Sequence, residues 1–518
     1  MTGDSHRNRN AAALACGILT MLAIGGMAPA AGPASARLDV LKQAGERADK
    51  VEDRFQRAWA WYAVAEETSV TDPAKAAEMS DKLESWTARR DLLGVVMYAW
   101  GKADPQAAAD WGVKFKERFK GDLADKNTAL LYAVVGMVGK DPKLADQLIW
   151  KYLQEEGWGG FPRTAPMQAA RELARSDPGA ALVMAEKIQF ESNRNDALRG
   201  VFREWAKVDP KAALAALPAR NEKGLAAVLP RDIAEGWACK DPKAAAEYAK
   251  TIPDQDRITK AMALLLVARE LAKTDPAVAA EVSRAPATLS LGKWDERQVR
   301  MVAAIAQVGQ ALAKADPVAA VKWADSLPTG EGSLRAGAYD GVAAGWATKD
   351  PKAAIEFYQV SKPDSKRPVS DKGTGAAWPD IARELSKTDL DGALALVAKG
   401  TSLVLKSHII YEIAVELAKR DPKAASAVVD KWAGVTDYYT YRAGAAEVVA
   451  GAWAKKDPKA ATAWAESLAP ETDRPAALRA AAAGWAKSAP ADADAWAQGL
   501  KDNQSAVRAL VGVAEGLR

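Results

Sequence analysis

Apolar residues recur at helical spacing along nearly the whole chain, and one short polar signal interrupts them again and again. In residues 334–361, Trp346 belongs to the apolar side of a first helix and Phe357 to that of a second. Asp350 stands between them as a good N-cap, and Pro351 suits the first position of the helix that follows. The pattern therefore predicts two helices joined at a tight Asp-Pro corner.

The same corner returns thirteen times, 417 residues over twelve intervals, or about 35 residues apart. Its anchors are Asp72, Asp104, Asp141, Asp177, Asp209, Asp241, Asp275, Asp316, Asp350, Asp389, Asp421, Asp457 and Ala489. A period of this length indicates stacked two-helix units. We therefore predict an all-α fold, a right-handed-type α-solenoid of about 13 helix–turn–helix repeats with a C-terminal capping helix.

Tryptophan and alanine hold fixed places in this register. The fourth residue after each anchor is alanine, and the fourth before it is large and apolar in every repeat except the first, which has Thr68. Aromatic residues also recur seven positions after the anchor. Because the spacing is so regular, we expect these tryptophans to pack between neighbouring helices rather than to form a carbohydrate-binding stripe.

The N-terminus has the order of a secretory signal peptide. Arg7 and Arg9 give it a basic start, an apolar run covers residues 11–28, and Ala34 and Ala36 form a cleavage site. An uncleaved membrane anchor is the alternative, because the run approaches a spanning length. We predict export to the periplasm or the extracellular space. The predicted segments are a signal peptide at 1–36, a helical cap at 37–53, thirteen repeats at 54–500 and a capping helix at 501–518.

The charge and cysteine content argue against a nucleic-acid-binding protein and against a fold held by disulfides. The chain has 71 Lys and Arg against 67 Asp and Glu, and no basic block of the kind that binds nucleic acid. Of its two cysteines, Cys16 lies in the predicted signal peptide, so no internal disulfide is expected in the exported chain. Cys239 stands where other repeats have alanine, and we expect it to be buried.

The long connections between repeats carry the candidate binding residues. These connections cover residues 155–167, 285–296, 361–379 and 433–442, and they hold aromatic residues outside the repeat register. Exposed aromatics are frequent binding anchors, although such residues also tuck over the ends of helix pairs. Our candidates for partner binding are Trp158, Phe161, Trp294, Lys366, Arg367, Trp378, Tyr438, Tyr439 and Tyr441.

Familiar catalytic motifs are absent from the sequence. Its two histidines, His6 and His408, do not allow a multi-histidine zinc site, and no P-loop or Cys-x-x-Cys occurs. We expect a protein that is not an enzyme and uses no cofactor or metal. A carboxylate-based site stays open, because Asp and Glu are abundant. Glu172, Glu270 and Glu384 recur in the same Ala-Arg-Glu-Leu context, which indicates a structural role on a helix face.

The repeats resemble the tetratricopeptide and HEAT types of bacterial α-solenoid protein. Their mean spacing lies near the tetratricopeptide period. Tryptophan closes the first helix here instead of opening it, and the corner aspartate is similar to that of HEAT repeats. The resemblance covers about residues 54–518 at the level of architecture. It carries over no functional residue, and it implies a protein-interaction scaffold.

Three functions follow as expectations. The first is an exported, non-enzymatic scaffold that binds protein or peptide partners through its concave face and inter-repeat edge loops. The second is a cell-wall or polysaccharide-binding α-superhelical protein, including a glycan-cleaving enzyme. The third is a structural spacer.

Overall fold

The computed structural model describes residues 34–83, 86–118, 123–152, 165–188, 191–217, 225–253, 257–287, 296–328, 334–360, 376–431, 439–469 and 473–518. Within these ranges the chain is an all-α helical-repeat solenoid, and they contain no β-strand. This confirms the predicted fold class.

The helices alternate between two kinds, here called helix A and helix B. The even-numbered helices are of kind A: α2 (Arg54–Thr68), α4 (Trp86–Ala103), α6 (Leu123–Met137), α8 (Ala165–Leu173), α10 (Glu191–Val208), α12 (Leu225–Ala238), α14 (Arg257–Leu271), α16 (Glu296–Ala315), α18 (Arg335–Ala347), α20 (Trp378–Leu385), α22 (Leu403–Ala418), α24 (Tyr439–Ala454), α26 (Arg474–Ala486) and α28 (Asn503–Gly516). The odd-numbered helices are of kind B: α1 (Ala34–Ala48), α3 (Pro73–Glu78), α5 (Pro105–Arg118), α7 (Pro142–Tyr152), α9 (Pro178–Glu186), α11 (Pro210–Ala215), α13 (Pro242–Thr251), α15 (Pro276–Ala287), α17 (Pro317–Asp325), α19 (Pro351–Val360), α21 (Leu390–Ala395), α23 (Pro422–Lys431), α25 (Pro458–Ser467) and α27 (Pro490–Gly499). Short 3₁₀ turns follow α3 at Met79–Lys82 and α21 at Leu396–Lys399.

The Asp-Pro corners have the predicted capping geometry. The carboxylate of Asp457 accepts a hydrogen bond from the backbone N–H of Ala460 at 3.0 Å, and Pro458 is the first residue of α25. Asp389 caps α21 in the same way although Leu390 replaces the proline. Ala489 has no capping side chain, yet α27 still begins at Pro490. Either half of the Asp-Pro pair is thus compatible with the corner.

Alanine closes every hairpin, and in several of them a pair of aromatic side chains closes it as well. The alanine four residues after the anchor is fully buried in all thirteen hairpins. The large residue before the corner then meets the aromatic residue seven positions after it, as in Trp346 with Phe357, where the ring centroids lie 5.6 Å apart. Trp453 meets Trp464 in the same way at 6.1 Å. The prediction that the register-locked tryptophans pack between helices is confirmed for these pairs.

The chain divides into two compact units. One combines the described residues up to Met137 with Leu417–Arg518, and the other is Val138–Glu416. In the second unit, helices A from α8 to α20 follow one another in a row, and the B helices pack against them. A methyl group at Gly341 of α18 would lie 1.9 Å from the carbonyl oxygen of Ala306 in α16, so these two helices touch backbone to backbone.

We expect Gly341→Ala to lower the free energy of unfolding by about 2 kcal/mol, because α16 and α18 must separate to admit one methyl group. Chemical denaturation at neutral pH measures this. Gly139→Ala is the matched control: its added methyl meets no atom within 4 Å, so its change should stay within about 0.5 kcal/mol. Equal effects of the two substitutions would refute the close approach.

In the first unit the two ends of the chain pair with each other. Helix α28 lies in the row of A helices between α26 and α2, and α1 packs against it as a helix B does. Arg47 of α1 donates to the side chain of Asn503 at 3.1 Å and to the carbonyl oxygen of Gln498 at 2.6 Å. The ends of the chain thereby make one further hairpin that has no covalent corner.

A buried carboxylate joins the same two ends. Glu67 at the end of α2 has no exposed surface and pairs with Arg37 of α1 at 2.5 Å. The guanidinium of Arg518, just after α28, also pairs with Glu67, and Arg479 of α26 lies 4.0 Å from it. Three arginines from three segments of the chain therefore converge on one carboxylate.

Two features of the structure were not expected from the sequence. The predicted C-terminal capping helix is present as α28, and it pairs with α1. Cys239 is exposed rather than buried, because α12 ends at Ala238 and the cysteine falls in the corner. In the described part of the chain, no helix is both long enough and apolar enough to cross a membrane.

Candidate binding surface

The predicted binding residues have different positions. Trp158, Phe161, Trp294, Lys366, Arg367 and Tyr438 lie outside the described residues. Tyr439 is the first residue of α24, and Tyr441 follows in the same turn, partly buried. Trp378 is 2% exposed at the start of α20, and its ring meets that of Tyr358 edge-on at 4.9 Å. Trp378 therefore occupies the tucked position that we weighed as the alternative to binding.

A charged face extends over five successive A helices of the second unit. We call it the arginine face. Its basic members are Arg171, Arg175, Arg199, Arg203, Lys207, Arg231, Arg269 and Arg300, and its central carboxylates are Glu204, Asp232 and Glu235. These side chains come from α8, the turn after it, α10, α12, α14 and α16.

Asp232 of α12 is the centre of the arginine face. Its side chain is fully buried and receives the Nε of Arg199 at 2.9 Å and the Nη2 of Arg203 at 2.5 Å, both from α10. Arg231, the preceding residue on α12, adds a longer contact at 3.3 Å. One helix therefore contributes a carboxylate that fixes two guanidinium groups of its neighbour.

The other two carboxylates extend this pattern on both sides. Glu204 of α10 binds the Nε of Arg171 at 3.1 Å and the Nε of Arg175 at 3.0 Å. Glu235 of α12 lies 3.3 Å from Arg300 of α16, although α14 stands between these helices along the row. The long side chain of Arg300 thus links two helices that are not immediate neighbours.

The ion pairs hold these carboxylates in their charged form. Burial alone would raise the pKa of Glu204, but hydrogen bonds from Lys207 and Arg175 outweigh it and lower the pKa to about 2. Burial likewise opposes ionisation of Asp232, and the charges of Arg231, Arg203 and Arg199 hold its pKa below the usual value. Both groups are therefore anionic near neutral pH.

This lowered pKa gives the stability a definite pH dependence. A carboxyl whose folded pKa is depressed stabilises the fold above its unfolded pKa, and that contribution is lost as the pH falls through the folded pKa. For Glu204 the window runs from about pH 4.5 down to about pH 2. We expect denaturation midpoints to fall less between pH 6 and pH 3 in Glu204→Gln than in the wild type. Glu247→Gln, at an exposed surface pair, should leave the wild-type slope unchanged.

A second polar cluster lies on the A helices of the first unit. Asp91 of α4 pairs with Arg90 at 2.9 Å and acts electrostatically on Tyr62 of α2 and Tyr132 of α6. Burial raises the pKa of Asp91, and Arg90 only partly opposes the change. Burial also raises the pKa of both tyrosines, with Glu66 and then Asp91 adding to the shift for Tyr62. Asp91 is therefore a carboxyl close to two tyrosines whose pKa lies above the usual value of an aspartate.

Sequence reasoning identified part of the arginine face and missed its centre. Two of the three Ala-Arg-Glu-Leu segments lie on it, since Arg269 pairs with Glu270 at 3.1 Å and Arg171 reaches Glu204, whereas the third is on α20, outside this face. Asp232 and Arg231 belong to no recurring motif. At the same two positions other repeats carry apolar, small and charged residues, among them Leu265, Gly341 and Glu412, so the repeat register does not single out these two. Within the described ranges, no cluster of three or more His, Cys, Asp or Glu could hold a metal ion.

No protein-family model matches this chain, and no curated protein matches it either.

Proposed function

We propose that this protein is an exported, non-catalytic scaffold that binds a protein or peptide partner on the arginine face. The observation that carries the proposal is the arrangement of that face, where buried carboxylates hold guanidinium groups in place and leave part of each one at the surface. Arg171 and Arg175 remain about half exposed while the carboxylate between them is 1% exposed. Side chains held in this way lose little rotamer freedom when they bind.

The ionisation of the central carboxylates argues against a general acid at this face. A general acid must carry a proton near neutral pH. Glu204 and Asp232 are instead held ionised by their arginine partners. The repeat period and the corner aspartates further support kinship to tetratricopeptide- or HEAT-type scaffolds, and the N-terminal segment supports export. Cleavage after Ala36 leaves Arg37, which pairs with Glu67, as the first residue of the exported chain.

The Asp91 cluster favours a second candidate function, a polysaccharide-binding or glycan-cleaving protein. A carboxyl with a raised pKa beside protonated tyrosines is the type of group that glycan-cleaving enzymes use as a general acid. This candidate rests on one carboxyl, because the neighbouring Glu66 is ion-paired with Arg479 at 3.2 Å. A structural spacer, with no ligand at either cluster, is the third candidate.

Partner capture from the envelope extract of the producing cell separates the three candidates. The immobilised wild-type chain is compared with Arg171→Gln/Arg300→Gln and with Asp91→Asn. A scaffold retains a defined protein that is lost with the arginine variant and kept with Asp91→Asn. Recovery of cell-wall glycan that depends on Asp91 overturns the scaffold in favour of the second candidate. If none of the three chains captures a protein or a glycan, the structural spacer is the candidate that remains.

A further inference from the structure

The arginine face carries more positive than negative charge. Eight basic side chains surround three central carboxylates, and adding the carboxylates at its margin, Glu172, Asp196 and Glu270, together with Lys273 does not reverse the balance. The negative groups lie beneath the positive ones, because Asp232 and Glu204 are buried while Arg171 and Arg300 are 46% and 34% exposed. The surface offered to a ligand is therefore one of guanidinium N–H donors.

Crowding of arginines marks the middle of this surface. Arg231 is 5% exposed, and within the described residues its Nε has no hydrogen-bond partner. Its other guanidinium nitrogens make long hydrogen bonds, to Asp232 at 3.3 Å and to the sulfur of Met262 at 3.6 Å. Arg199 and Arg300 act on it as like charges. An oxyanion among these three guanidinium groups would relieve that repulsion and supply charge-assisted hydrogen bonds.

We infer that the arginine face binds an acidic segment of a protein partner, with side-chain carboxylates of that segment seated on the guanidinium groups of Arg171, Arg199 and Arg300. The inference rests on the proposed function and specifies its ligand. Two features favour a peptide over a long uniform polyanion. The central ion pairs already show guanidinium groups taking carboxylates, and the carboxylates at the margin would repel a polyanion that runs on across them.

The test is direct binding of a short fluorescein-labelled poly-glutamate peptide, followed by fluorescence anisotropy with the full-length chain. We expect the affinity to fall as salt rises and to weaken by about tenfold in Arg171→Gln/Arg300→Gln. Both arginines are partly exposed, and Glu204 and Glu235 keep other basic partners in the variant. Arg300→Lys keeps the charge without the planar fork and should bind more weakly than wild type.

Lys352→Gln is the matched control, because Lys352 is an exposed base of the same unit, outside the arginine face. It should bind the peptide as the wild type does. Equal weakening in Lys352→Gln and the double variant, or no binding by the wild type at low salt, overturns the inference. Polyphosphate or a sulfated glycan that binds more tightly than the peptide at these same arginines overturns the choice of a peptide. If partner capture returns a protein that is lost with the double variant while the poly-glutamate peptide does not bind, the scaffold stands and only this ligand assignment fails.

Discussion

Replacing Asp232 with alanine should lower the free energy of unfolding by about 3–5 kcal/mol, the usual cost of removing one partner from a buried ion pair. The carboxylate is fully buried, and Arg199, Arg203 and Arg231 all direct guanidinium groups at it. Without it, Arg231 is left buried beside two like charges. Denaturant unfolding at neutral pH and low salt measures the loss.

Asp196→Ala provides the matched comparison, because Asp196 also pairs with Arg199, at 3.2 Å, but is 54% exposed. A surface pair of this kind contributes at most about 1 kcal/mol. Asp232→Asn should fall between the two, since the amide keeps the shape and one acceptor oxygen while losing the charge. If Asp232→Ala and Asp196→Ala destabilise equally, the centre of the arginine face contributes no more than an ordinary surface pair.

The parts of the fold that the sequence predicts are those determined by residues close together along the chain. Asp350 caps the helix that begins at the next residue. Its carboxylate accepts a hydrogen bond from the backbone N–H of Ala353 at 3.0 Å. Trp346 and Phe357, on either side of that corner, then meet within one hairpin. Helix capping and side-chain contacts over such short separations depend on local backbone geometry. A repeated sequence motif therefore predicts them reliably.

The arginine face could be predicted only in part, because its contacts join residues of different repeats. Arg171 reaches Glu204 across 33 residues, and Arg300 reaches Glu235 across 65. A helical pattern indicates which residues share a face of one helix, but it does not indicate how far a flexible guanidinium extends across the neighbouring helix. Charged residues in Ala-rich A helices are typical of a solvated surface, and burial of Asp232 depends on the arginines that cover it.

Pairing of the chain ends could not be predicted for a related reason. Helices α1 and α28 each look like a terminal cap in the sequence, because no Asp-Pro corner precedes α1 and none follows α28 to mark its partner. The contact between Arg518 and Glu67 spans 451 residues. Ordering so long a loop carries an entropic cost. The buried apolar face of α28 and the Glu67 ion pairs must offset that cost, so a substitution of Glu67 tests how the two ends are held together.

We therefore expect Glu67→Ala to lower the free energy of unfolding by about 3–5 kcal/mol, because Arg37 stays 5% exposed with no carboxylate to compensate its charge. The loss should also be local. Amide hydrogen exchange should increase in α1 and α28 together, as these helices separate, while α16 and α18 in the other unit keep the protection of the wild type.

Glu515→Ala isolates the role of the buried carboxylate in that experiment. Glu515 pairs with Arg479 at 3.0 Å, but it is 39% exposed, so its loss should cost at most about 1 kcal/mol. Exchange in α1 and α28 that stays at the wild-type level in Glu67→Ala would show that apolar packing alone holds the ends together. Faster exchange in α28 but not in α1 would mean that the two helices do not open as a pair. If Glu67 closes this hairpin, amide exchange increases in both α1 and α28 of Glu67→Ala and does not increase in Glu515→Ala.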